Sequence, residues 1–106
     1  MARFSARALK TLRAFVASLR REIPVQRAIL FGSHARGTGR QTSDVDIAIF
    51  SNFFRGKRRV DVIAYLVQKA APFPLPIEPI GFPYSDYARP SDDFLRTIRR
   101  EGKVIG

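Results

Sequence analysis

The chain has 106 residues, 45% of them hydrophobic and 11% aromatic, enough for one compact domain spanning 1–106 and unlike a disordered segment. It has no cysteine, which excludes disulfides, thiolate zinc sites and thiol catalysis. The formal net charge of +10 attracts polyanions or an acidic protein surface, although a solvated basic face is the plainer reading.

Taken in chain order, the first predicted element is a helix from Ser5 to Glu22, ending before Pro24. Leu9, Leu12, Phe15, Val16 and Leu19 fall at helical spacing and cover one face. The segment is basic and amphipathic, as a transit peptide is, but such a face predicts docking onto the domain. No apolar run reaches the roughly 20 residues that span a bilayer. The expectation is a cytoplasmic protein with no membrane contact.

Val25 to Phe31 is a short apolar run stopped by Gly32-Ser33, and reads as a buried strand feeding a turn. The polar segment His34 to Gln41 has room for one helical turn. Asp44 to Phe50 reads as a second strand with acidic residues at its entry, followed by a loop from Ser51 to Lys57. From Arg58 to Ala70, Val62, Ile63, Leu66, Val67 and Ala70 recur at helical spacing. A proline-rich linker, Pro72 to Pro76, leads to a third strand, Ile77 to Phe82. Pro79 cannot donate to a ladder, so this strand belongs at an edge or carries a bulge. Ser91-Asp92-Asp93 offers cap chemistry for a last helix, Phe94 to about Arg100. The order helix, strand, strand, helix, strand, helix predicts a small mixed α/β layer.

Chemistry concentrates between Gly32 and Asp46. Glycine allows close approach of the backbone to a ligand, and Ser33 adds a hydroxyl, so Gly32-Ser33 is either a phosphate seat or an ordinary turn. Asp44 and Asp46 lie two apart on a strand and share a face. Such a pair repels itself unless a cation neutralises it, and suits Mg²⁺; alone it also fits an exposed strand entry.

Together these residues resemble the DNA polymerase β-type nucleotidyltransferase superfamily, whose pattern is Gly-Ser, a spacer, then Asp-x-Asp. Here ten residues separate Gly32-Ser33 from Asp44-Val45-Asp46. With Ala35-Arg36-Gly37 and Ser43 inside it, the spacer looks like the minimal nucleotidyltransferase branch, which includes antitoxin partners of HEPN-domain toxins. The resemblance implies the nucleotidyltransferase fold, a small mixed sheet flanked by helices. It also implies a two-metal displacement, with Asp44 and Asp46 holding Mg²⁺ and Gly32 and Ser33 holding the β- and γ-phosphates of an NTP. Arg36 would join them at the phosphates or else pair with a surface carboxylate. The family implies a third carboxylate on a later strand, for which Glu78 is the candidate; otherwise Glu78 is a surface residue at a strand edge. Asp61, the rival, reads as a helix-start residue. His34, the only histidine, reads as a neighbour of the loop rather than a base.

The function these features imply is transfer of AMP from ATP to a hydroxyl on a HEPN-type toxin, which makes the chain a protein adenylyltransferase and antitoxin. So small a domain is expected to need a partner chain or dimer mate to complete its site. Phe53, Phe54, Phe82, Tyr84 and Tyr87 would offer contact surface or pack in the core. The alternatives are a binding module that neutralises by contact alone, transfer to a small molecule such as an aminoglycoside, and a nucleic-acid-binding protein using Arg55, Lys57, Arg58 and Arg59.

Overall fold

A computed structural model of the protein describes residues 4–37 and 44–106. Helix α1 (Ala6–Arg20) begins where the Ser5 hydroxyl accepts from the Ala8 amide, and ends two residues before the predicted stop. Strand β1 (Arg27–Phe31) leads to a short helix α2 (Ser33–Arg36), then strand β2 (Val45–Phe50). Asn52–Phe54 forms a single tight turn inside the predicted loop. Helix α3 (Arg59–Ala70), strand β3 (Ile77–Phe82), helices α4 (Tyr84–Ala88) and α5 (Asp93–Glu101), and strand β4 (Lys103–Val104) complete the order. Helix α4 and strand β4 were not expected. No described helix is long and apolar enough to cross a membrane.

The four strands form one mixed sheet in the order β3-β2-β1-β4. Strands β1 and β2 are antiparallel, while α3 carries the chain back so that β3 pairs parallel to β2. The continuous run Ile47-Ala48-Ile49-Phe50 needs cover on both faces, and its central place provides it: all four are buried. Pro79 lies on the edge strand, as its missing amide requires.

Alternation along the strands separates two cores. Ala28, Leu30, Val45, Ile47 and Ile49 face α1 and α3, which contribute Leu12, Phe15, Val16, Leu19, Val62 and Leu66. Ile29, Ala48, Phe50 and Phe82 face the other way, against Leu95 and Ile98 of α5 and Tyr84 and Tyr87 of α4. Phe54 and Phe82 are therefore core residues rather than contact surface. Gly81 permits the close approach of α3: a Cβ there would stand 2.5 Å from Val62 and 3.0 Å from Leu66.

A polar clamp ties the end of α1 to α3. Tyr65 donates to Glu22 at 3.0 Å and Lys69 donates to its other oxygen at 2.9 Å. The Lys69 and Tyr65 hydrogen bonds lower the Glu22 pKa, and burial with the Glu22 contact pushes the Tyr65 phenol from 10.0 up to about 12. In that range the unfolded chain ionises Tyr65 while the folded chain keeps its proton. The phenol's contribution to stability is thus intact below pH 10 and lost as pH climbs to about 12. An ultraviolet titration is expected to show a late tyrosine step near pH 12 that Tyr65→Phe removes.

Candidate active site

Strand β1 ends at Phe31, and the next residue turns the chain sharply. Gly32 has φ 74° and ψ −153°, a region open essentially to glycine alone. A Cβ at Gly32 would collide with the Asp46 carboxylate and lie 3.2 Å from its Cγ. The backbone of the predicted phosphate seat thus rests directly against the predicted metal ligand.

Helix α2 is the single turn expected after Gly-Ser. It is closed by Gly37, at φ 75°, whose amide donates to His34 O at 3.3 Å. His34 is buried, with its ring edge-on to Phe4 at 5.0 Å, which fits a structural neighbour of the loop. Arg36 is exposed. Ser43 and the stretch through Gln41 lie outside the described residues.

The register of the sheet assembles the carboxylates. Asp46 is paired with Phe31 on one side and Glu78 on the other. Residues paired in this way project from the same face. That face is the one carrying Ala48 and Phe50, against which α4 and α5 pack, with Phe31 and Phe94 at the border of that cover. Burial grades accordingly along β2 and the residue before it: Phe50 and Ala48 are buried, Asp46 is half-buried and Asp44 is exposed. Glu78 is likewise exposed at the open end of β3, while Phe82 is buried at the other.

Asp46 and Glu78 both feel their acidic neighbours. Burial and then the Asp44 charge raise the Asp46 pKa, opposed by His34 and Arg36. Glu78 is raised first by a hydrogen bond with Asp44, then by burial and the charges of Asp44 and Asp46. The mutual repulsion of these carboxyls is of the kind a cation would relieve. Arg36 is the guanidinium that acts on Asp46.

Among the described residues no group of three or more His, Asp or Glu side chains is drawn together tightly enough to hold a metal ion as it stands. The donor chemistry nonetheless fits a hard divalent cation. Mg²⁺ takes one or two carboxylates and completes its shell with waters and substrate phosphates, so Asp44 and Asp46 suffice as protein ligands.

Other candidates separate from this site. Asp61 sits in the first turn of α3 and pairs with Arg58 at 2.9 Å, as a helix-start residue should. Lys57 stacks over Phe53 and Arg59 over Phe82, at 4.5 and 4.9 Å. This basic cluster follows the C-terminal end of β2, the opposite end from Asp46. Sequence reasoning missed Phe31 as a site neighbour: only the β1–β2 register places it beside Asp46.

Comparison with known proteins gives a family and a fold. A family model described as a nucleotidyltransferase domain matches residues 9–89. The crystal structure of a candidate nucleotidyltransferase from Sulfolobus solfataricus superposes with a TM-score of 0.70 at 21% identity, over 92% of this chain and 78% of that one. At that identity the likeness speaks for the fold. No curated protein matches the chain.

Proposed function

Because the chain belongs to the nucleotidyltransferase domain family, we propose that it transfers AMP from ATP to a hydroxyl on a HEPN-type protein partner in the cytoplasm, as that partner's antitoxin. The observation that carries the reading is the convergence of Asp46, Asp44 and Glu78 on the half-open sheet face, with Gly32 pressed against Asp46.

In this reading Asp44 and Asp46 hold Mg²⁺, with Glu78 available to a second ion. When bound, the metals neutralise charge on the triphosphate and the leaving group. Gly32 allows the triphosphate close to the backbone, where the Ser33 hydroxyl and amide can donate to its β- and γ-phosphates. Arg36, exposed and close enough to act on Asp46, adds a charge-assisted contact. The acceptor oxygen attacks the α-phosphorus in line with the bond to the β-phosphate. That bond breaks, pyrophosphate leaves, and the hydroxyl proton passes to a carboxylate oxygen of Glu78. The partner supplies the acceptor and closes the open half of the face.

Mass spectrometry of the partner, after incubation with this chain, ATP and Mg²⁺, tests the proposal. The expected result is an AMP-sized mass gain that is absent with Asp44→Asn/Asp46→Asn. A partner that is tightly bound and neutralised yet unmodified contradicts it, and makes the chain a binding module of the same fold.

A further inference from the structure

The described residues that leave large apolar side chains exposed are Phe53, Val60, Val67, Phe94 and Val104. Val60 and Val67 are on α3, which packs on the opposite face of the sheet. Phe53 follows the C-terminal end of β2, and Val104 pairs with Ile29 on the outer strand. Phe94 is different. Its ring stands edge-on to Phe31 at 5.8 Å and 86°, and Phe31 is the cross-strand partner of Asp46. A second ring, Phe82, braces it at 6.5 Å. The turn of α5 that carries it is fixed by the Asp92 carboxylate, which accepts from the Leu95 amide at 2.9 Å. Phe94 nevertheless remains 49% exposed.

An exposed phenylalanine forgoes much of the stabilisation that its burial would contribute. Here the exposed ring is held at the margin of an acidic site rather than in a general apolar patch. An NTP is anionic along its phosphates and uncharged and planar at its base. With the α-phosphate at Asp46, the base is the part of the substrate an aromatic ring complements. Directly opposed side chains begin about 5 Å apart, and Phe94 lies one ring contact beyond Phe31. The ring is therefore within the reach of a nucleoside.

We propose that Phe94, braced by Phe31, is the platform on which the base of the nucleoside triphosphate stacks. The inference rests on the nucleotidyl-transfer reading and adds a subsite to it. Stacking accepts any base, because every base has a π-face, so the platform supplies affinity for ATP and GTP alike.

Calorimetric titration of Mg²⁺-ATP and of Mg²⁺-tripolyphosphate into the wild type, Phe94→Ala and Phe94→Trp separates base from phosphate binding. The expected result is about a tenfold loss of ATP affinity in Phe94→Ala, with tripolyphosphate binding unchanged. Phe94→Trp should retain ATP affinity. The natural chain has no tryptophan, so its indole is a sole reporter, quenched by ATP and not by tripolyphosphate. If Phe94→Ala binds ATP like the wild type, or loses both ligands equally, the platform is wrong. If the wild type binds tripolyphosphate as tightly as ATP, the platform is wrong while the transfer reading stands. A wild type that binds neither overturns the transfer reading, and the platform with it.

Discussion

Asp46→Asn is expected to lower nucleotidyl transfer about a thousandfold while leaving a protein that melts at or above the wild-type temperature. The activity loss follows from the position of Asp46. It is the carboxylate between Gly32 on one side and Glu78 on the other, and the half-buried member of the cluster. Charge stabilisation through bound metal amounts to several kcal/mol, and each 1.36 kcal/mol is tenfold in rate, so about three decades are at stake. Stability moves the opposite way. Burial and the Asp44 charge raise the Asp46 pKa, so the fold disfavours its ionised form. Stability from that group is full at acid pH and falls as pH rises through its folded pKa. At neutral pH the carboxylate therefore opposes folding, and a neutral amide of the same shape removes the opposition. Paired thermal melts and transfer assays check both halves. A large fall in melting temperature would mean that Asp46 is chiefly structural.

Gly32→Ala is expected to destabilise the protein and to abolish transfer together. Its φ and ψ are nearly exclusive to glycine, and such strain costs about 1–3 kcal/mol. The added methyl must also displace the Asp46 carboxylate, which occupies its space. For a domain of this size each kcal/mol shifts the melting temperature by roughly 4–8 °C, so a fall on the order of 10 °C is expected. Gly56→Ala is the matched control. Gly56 has the same φ of 74° but nothing within 4 Å of its would-be Cβ. It should lose stability from backbone strain alone and keep transfer activity. If Gly32→Ala transfers normally, the contact between the turn and Asp46 has no role in the site.

The parts of this molecule legible in its sequence are those with local causes. The β3 range emerged residue for residue, because Pro76 and Pro83 bracket an apolar run that cannot be helical. Asp92 offers cap chemistry by its type and place, and accepts the Leu95 amide. Asp44 and Asp46 share a face by the period of two, which requires no tertiary knowledge. The elements that escaped have tertiary causes. Strand β4 is two residues long, and Lys103-Val104 becomes a strand only because β1 leaves an edge to pair with. Helix α4 is five residues between Pro83 and Pro90, too short for any periodicity to register.

The same division runs through the candidate site. Glu78 was a candidate because the resemblance implied a third carboxylate, yet its place opposite Asp46 depends on a parallel register that no local pattern encodes. Phe31 and Phe94 meet across most of the chain, and nothing near either residue announces the other. The basic run Arg55 to Arg59 was conspicuous in the sequence but lies at the wrong end of β2 to serve the carboxylates. Charge clusters are visible without a fold; which sheet end they occupy is not.

The central claim is that the open sheet face at Asp44, Asp46 and Glu78 is a divalent-cation and nucleotide site. Paramagnetic broadening of backbone amide signals by Mn²⁺, in the presence of a non-hydrolysable NTP, tests it without needing an acceptor. The amides of Gly32, Ser33, Asp46 and Glu78 are expected to broaden first, and Asp44→Asn/Asp46→Asn to abolish the effect. Broadening centred instead on another acidic stretch, such as Asp92-Asp93, or surviving the double substitution, would contradict it.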